Sequence, residues 1–273
     1  MGESNQYASD IVYPVQSPKS SSTPRFPLNE NTVTALNVLE KGGFEAWLVG
    51  GCVRDAFLGR PCSDIDIASN AHWQDVQRLF ADSGFATHET GVAHGTLTVI
   101  VNGQPFEITT FRCDGSYKDS RHPDSVRFVS SIEEDLARRD FTINAMAYHP
   151  ERGLADPYGG KRDLEHGIIR AVGNPKKRFD EDALRILRAC RFSAQLGFGI
   201  EDDTYKGMVY NKGLLYKVSV ERVVHELDRL LLGDYAGRAL VSTVDALSAV
   251  LPELVAMKGF DQHTPYHIYD VLE

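Results

Sequence analysis

The run Asp64-Ile65-Asp66-Ile67-Ala68, preceded by Leu48-Val49-Gly50-Gly51-Cys52-Val53-Arg54-Asp55, constrains this chain more than any other stretch. Alternate residues of a strand project to the same side. An extended 64–68 segment therefore brings Asp64 and Asp66 together and turns Ile65 and Ile67 toward a core. Upstream, a Gly-Gly turn opens a short helix with Val53, Ala56 and Phe57 as its apolar stripe, stopped by Gly59 and Pro61. The predicted order is strand, turn, helix, strand. Two carboxylates on one rigid element suit a hard cation with oxygen ligands, and Mg²⁺ commonly binds through one or two carboxylates plus substrate phosphates. The free N–H groups where the helix begins favour an anion. Each half alone has an ordinary explanation: Asp-x-Asp is common on solvated loops, Gly-Gly is often only a tight turn, and Arg54 could be a surface cation. Together they point to metal and phosphate sites on neighbouring elements.

The remaining composition narrows the class. A chain of 273 residues forms one large domain or two, and 42% hydrophobic with 25% charged residues describes an ordinary soluble globular protein. No apolar run approaches the ~20 residues needed to cross a bilayer, and the N-terminus lacks a signal-peptide core. A cytoplasmic protein without membrane contact is therefore expected. Residues 1–26 are polar and rich in Ser and Pro, which reads as a disordered tail. Cys52, Cys62, Cys113 and Cys190 have no zinc-like spacing, so reduced thiols are expected. A net charge of −9 argues against coating nucleic acid with a broad basic surface, yet twelve arginines fall between Arg112 and Arg191. Any nucleic-acid contact is then confined and salt-sensitive.

Along the chain, residues 29–43 read as a helix leading into a strand near Ala46–Val49. Asn70 is placed to cap a helix whose Trp73, Val76, Leu79 and Phe80 share a face, ending near Gly84. Thr96–Val101 and Pro105–Phe111 read as strands joined by Asn102-Gly103, a two-residue hairpin signal. Glu107 lies between Phe106 and Ile108 and so faces away from them. It is a third carboxylate near the metals if that face also carries Asp64 and Asp66, and otherwise a solvated strand residue. Arg112–Ser131 is polar and aperiodic, which predicts a mobile loop. From about Asp180 onward the pattern is helical, and a soft boundary falls near 165–178.

Two further segments carry chemistry. Arg138-Arg139-Asp140-Phe141-Thr142-Ile143-Asn144 sets two guanidiniums beside a carboxylate and an amide. The planar fork of Arg suits phosphate oxygens, while Asp and Asn suit ribose hydroxyls. A helix start with an ordinary salt bridge is the plainer reading. Asp180–Phe192 reads as one helix, with Ala183, Leu184, Leu187, Cys190 and Ala194 apolar and Asp182, Arg185 and Arg188 along another face. A surface ion-pair row explains that spacing in a lone helix. Beside a nucleotide, an Asp accepts from the exocyclic amine of cytosine or adenine while an Arg donates to the adjacent ring nitrogen. Uracil and guanine reverse the pattern and leave both groups unpaired.

Leu48–Asp66, Arg138–Ala147, Asp156–Leu164, Glu181–Phe192 and Glu221–Leu227 resemble, in order, the five signature motifs of class II CCA-adding tRNA nucleotidyltransferases, which bacterial poly(A) polymerases share. The resemblance implies an α+β fold: a nucleotidyltransferase head with a mixed β-sheet and flanking helices (27–170), then an all-α neck and the start of a body (171–273), apparently truncated. It implies Mg²⁺ at Asp64 and Asp66, with Glu107 as third catalytic carboxylate. Gly50, Gly51 and Arg54 would hold the triphosphate, and Arg139, Asp140 and Asn144 the ribose and phosphates. Asp182 and Arg185 would read the base, with Arg188 and Arg191 assisting. Glu221–Leu227 would brace that helix, a role that a Val220, Val223, Val224, Leu227, Leu230, Leu231 stripe suits independently. The segment with Tyr117, Asp119, Arg121, His122 and Pro123 resembles the family's flexible loop, and His263, His267 and Asp270 the opening of an attached HD domain. The implied partners are tRNA, CTP and ATP. The alternatives are poly(A) or A-only addition, or a tRNA-binding module without turnover.

Overall fold

The structure, a computed structural model, describes residues 24–62, 64–92, 95–114 and 126–260. The first half is built on a seven-stranded mixed sheet. Helix α1 (Glu30–Lys41) is capped by Asn29, whose Oδ1 accepts from the Thr32 N–H at 2.8 Å. It buries Ala35, Leu36 and Leu39 beneath the sheet. Strand β1 (Ala46–Val49) is buried at every position, as befits a strand covered on both faces. The Gly50 turn follows, then helix α2 (Gly51–Phe57) and strand β2 (Asp66–Ser69). Helix α3 (Trp73–Asp82) and strands β3 (Ala86–Gly91), β4 (Thr96–Val101) and β5 (Gln104–Thr110) complete one side. Asn102 and Gly103 both take positive φ, 50° and 83°, in the β4–β5 hairpin their dipeptide predicts. Strands β8 (Ala147–His149) and β9 (Gly153–Ala155) form the far edge. The sheet order is β3-β4-β5-β2-β1-β8-β9, with β2 and β5 parallel and the other pairs antiparallel.

Several expectations are corrected here. Asn70 does not cap α3; His72 holds that position, and the Asn70 Oδ1 accepts from the Glu45 N–H at 2.7 Å instead. The end of the β1–β2 pairing takes the side chain that the local pattern assigned to the helix. Arg112–Ser131 is not wholly loop: β6 (Arg112–Asp114) pairs with β7 (Val126–Phe128), and Ser131 caps helix α4 (Ile132–Ala137). Residues 115–125, including Asp119 and Arg121, lie outside the described residues, as do most of the 1–26 tail and His263, His267 and Asp270. Phe26, assigned to that tail, is stacked on Tyr148 with ring centroids 3.4 Å apart.

The second half is not continuously helical. After α5 (Gly160–His166), β10 (Ile168–Ile169) pairs in parallel with β11 (Gly199–Ile200), two residues each, between helices. Helix α6 (Pro175–Glu181) begins earlier than predicted, with Asn174 capping it and Pro175 in the first turn. The predicted Asp180–Phe192 helix is broken: Asp182 is extended (φ −143°, ψ 103°), and α7 runs from Leu184 to Leu196. Helices α8 (Asp202–Asn211), α9 (Val220–Leu231), α10 (Ala236–Leu247) and α11 (Pro252–Met257) follow. Helix α7 is buried almost all round and α9 lies against it. The α9 stripe is only half used, because Leu230 is buried and Val223 and Leu227 pack on the core while Val220, Val224 and Leu231 are exposed. One apolar core runs without interruption from Leu36 on α1 to Leu247 on α10.

Candidate active site

The cleft begins with a register. Strands β1 and β2 are antiparallel with Val49 opposite Asp66, so the chain leaves β1 into the Gly50 turn directly beside the Asp66 carboxylate. Gly50 has φ 73° and ψ −131°, a conformation that strains any residue with a side chain. A Cβ there would lie 3.1 Å from Arg139 Nη1 and 3.8 Å from Asp66 Oδ2. The glycine thus allows a guanidinium and a carboxylate to close over the turn.

Asp64 does not share the strand with Asp66. It lies two residues before β2 in irregular backbone, although Ile65 and Ile67 are both buried as the alternation requires. Asp64 and Asp66 both line the cleft. Glu107 is the parallel-strand partner of Asp66, but it is exposed and does not line the cleft. Among the described residues no group of three or more His, Cys, Asp or Glu side chains is arranged to hold a metal ion. Burial, repulsion from Glu107 and, after an offset from Arg139, repulsion from Asp64 push the Asp66 carboxyl up from 3.8 to about 6. Carboxylates crowded on the wall of an open cleft fit a divalent cation that completes its shell with phosphate or water.

The cleft is also rich in arginine. The cleft has a volume of about 630 Å³, and Arg54, Arg139, Arg185, Arg188 and Arg191 line it with Gly50, Gly51, Asp140, Asn144 and Asp182. Every described residue that the sequence reading assigned to nucleotide contact is therefore brought to one concavity. Their side chains are already bonded to one another. Arg54 Nη1 donates to Asn144 Oδ1 at 2.7 Å, and its Nε and Nη2 fork onto Asp55 at 2.9 and 3.0 Å. Asn144 donates to Asp140 Oδ1 at 3.1 Å, and Arg188 clasps Asp140 Oδ2 with Nε at 2.8 Å and Nη2 at 2.6 Å. Burial opposes the Asp140 charge, but Arg188, the Asn144 amide and Arg185 outweigh it and hold the carboxyl far below the usual range. Asp140 and Asn144 sit in and beside a 3-10 turn at Thr142–Asn144, not at a helix start.

The base-reading candidates flank the helix break. Asp182 Oδ1 accepts from the Leu184 N–H at 3.1 Å and Oδ2 from Arg222 Nη2 at 3.3 Å. Arg185 Nη1 is held by Glu181 at 2.8 Å, and its Nη2 donates to the Arg138 carbonyl at 3.2 Å. Arg191 lies 2.8 Å from Glu226 of α9; burial lowers its pKa to about 10 despite that partner. Arg222 and Arg229 also line the cleft, and the sequence reading missed them. Their signal was available: positions seven apart lie two turns along one face of α9. Cys52 and Cys62 line it too, and all four cysteines are unpaired.

Comparison with known proteins places this geometry. Residues 46–170 match the model of the "Poly A polymerase head domain", and residues 197–257 that of the "Probable RNA and SrmB- binding site of polymerase A". A CCA-adding enzyme of Pediococcus pentosaceus is 46% identical over 242 residues, covering 87% of this chain and 59% of that protein. The structure of the Bacillus stearothermophilus CCA-adding enzyme in complex with CTP aligns with TM-score 0.71 and 43% identity over 80% of this chain and 51% of that one. A Thermotoga maritima CCA-adding enzyme complexed with tRNA aligns with TM-score 0.65 and 28% identity over 81% and 51%. The chain spans between half and three fifths of the length of these relatives. No helix among the described residues is long and apolar enough to cross a membrane.

Proposed function

The chain belongs to the family of CCA-adding tRNA nucleotidyltransferases and bacterial poly(A) polymerases, and from that premise we propose that it extends the 3′ end of tRNA with C, C and A from CTP and ATP. The observation that carries the reading is the β1–β2 register, which seats Asp66 beside the Gly50 turn on one wall of an arginine-lined cleft. In this reading 27–170 is the catalytic head and the helices from 171 onward are the neck.

Each protein group has a role that its surroundings favour. Asp64 and Asp66 are the residues that would hold Mg²⁺, which supplies charge neutralisation for the α-phosphorus and the departing pyrophosphate. Arg54 and Arg139 orient the triphosphate by donating to its oxygens, and the Gly50–Gly51 turn leaves room for close approach of the backbone. The tRNA 3′-hydroxyl attacks the α-phosphorus and pyrophosphate leaves. The protein contributes mainly position and charge, because a phosphoryl transfer asks little covalent chemistry of it. Asp182 and Arg185 present an acceptor and a donor to the amine and ring nitrogen that C and A share and that U and G reverse.

The test uses tRNA lacking its last three nucleotides, Mg²⁺ and each labelled nucleotide in turn. Incorporation of C and then A supports the reading; A alone indicates the poly(A) or A-adding relative, and no incorporation indicates a binding module. Asp64→Ala and Asp66→Ala are each expected to abolish incorporation of both nucleotides while the protein still melts cooperatively. Substantial residual transfer by either variant refutes the metal assignment.

A further inference from the structure

Helix α4 carries a carboxylate that lies behind the cleft wall and has no place in the scheme above. Asp135 is fully buried. Its Oδ1 accepts from Arg138 Nε at 3.0 Å and from the backbone N–H of Arg112 at 3.2 Å. Its Oδ2 accepts from Arg139 Nη2 at 3.1 Å. Burial alone would raise its pKa, but Arg138 and Arg139 overcome that and hold the carboxyl below its usual range. A buried carboxylate between two guanidiniums is ionised and fixed, and so are the side chains it grips.

What it grips matters. Arg138 and Arg139 both line the cleft, while Asp135 does not. Arg139 Nη1, which is not bound to Asp135, closes over Gly50, and the Arg139 charge acts on Asp66. The third ligand of Asp135 is the first N–H of β6, so the same carboxylate registers the base of the β6–β7 hairpin against these arginines.

We propose that Asp135 is a positioning residue that holds Arg139, and with it Arg138, in the orientation that receives the nucleotide triphosphate. The inference rests on the transferase reading. It predicts an effect on nucleotide binding rather than on base choice, because the triphosphate is common to CTP and ATP.

The experiment compares the full chain with Asp135→Asn, which keeps size and one acceptor but removes the charge. KM is measured separately for CTP, ATP and tRNA, and Kd for each nucleotide by calorimetry with Ca²⁺ in place of Mg²⁺. Nucleotide KM and Kd are expected to rise roughly tenfold, the scale of loss when two arginines must be ordered at binding. The rise should be equal for CTP and ATP, with KM for tRNA unchanged. In an Arg138→Ala, Arg139→Ala background Asp135→Asn should add nothing further, since it acts through those two side chains. Unchanged nucleotide binding, unequal effects on CTP and ATP, a change confined to tRNA, or additivity with the double Arg→Ala background overturns the proposal. If Asp135→Asn does not melt cooperatively, Asp135→Glu enters the same cycle; failure of both to fold makes the residue structural and also overturns it. A wild-type chain that binds nucleotide but transfers none defeats the transferase reading, while the calorimetric arms still decide on Asp135.

Discussion

Asp66 is the residue on which the proposed chemistry turns, and its protonation can be read without any turnover. Its carboxyl ionises near 6 in the fold and near 3.8 when unperturbed, so the folded state favours the proton. The stabilisation from that proton is complete below about pH 4 and is lost as pH rises through about 6. At pH 7 the ionised group is a cost to the metal-free fold. Asp66→Asn is therefore expected to stabilise the protein in EDTA at pH 7 by on the order of 2 kcal/mol, and to have little effect at pH 4. Urea melts at the two pH values check this, and a destabilised variant at pH 7 contradicts the crowding of carboxylates. Asp64 was legible as the neighbour of Asp66, but its exclusion from β2 was not, because strand ends depend on pairing partners that a local pattern does not contain. Glu107 shows the same limit. That it faces away from Phe106 and Ile108 follows from alternation, whereas its register opposite Asp66 depends on the β2–β5 pairing.

At the scale of elements, the break between α6 and α7 is the main surprise. The apolar stripe starts at Ala183 and the polar run Asp180-Glu181-Asp182 carries no stop signal such as Gly or Pro, so the local pattern predicts one helix through both. Asp182 ends it because its carboxylate takes the Leu184 N–H, which lets an Asp compete with the helix for backbone bonds. Helix α9 then secures the second piece with two cross-helix ion pairs, Arg222–Asp182 at 3.3 Å and Arg191–Glu226 at 2.8 Å. Arg191 and Glu226 are both buried. Glu226→Ala would leave the guanidinium buried without its countercharge and is expected to cost about 3–5 kcal/mol, read from denaturant midpoints. A loss below about 1 kcal/mol would mean that the pair is solvated and that α9 is held by packing alone. The bracing role of 221–227 was legible as a motif. The exposure of Val220, Val224 and Leu231 was not, since an apolar stripe fixes a face without fixing how much of it is covered.

For the whole molecule, composition suggested one large domain or two, and the core gives an answer that a boundary near 165–178 does not convey. Phe141 from the sheet half meets Phe192 of α7 edge-on, with ring centroids 5.8 Å apart. Ile143, Leu164 and Ile169 belong to the same apolar cluster as Leu187, Met208 and Leu247. A fragment ending at Arg170 would expose these residues, and it is expected to lose cooperative melting and to bind a hydrophobic dye such as ANS. A sharp two-state transition for that fragment would show that the sheet half folds alone. The Asp140–Arg188 clasp joins the same two halves through charge. To swing the helices away from the sheet, the molecule would have to strip a sequestered anion of its partner, so a rigid hinge opening is the costliest route to a wider pocket. In the proposed reading, fitting different bases would then fall to rotations of individual side chains lining the cleft.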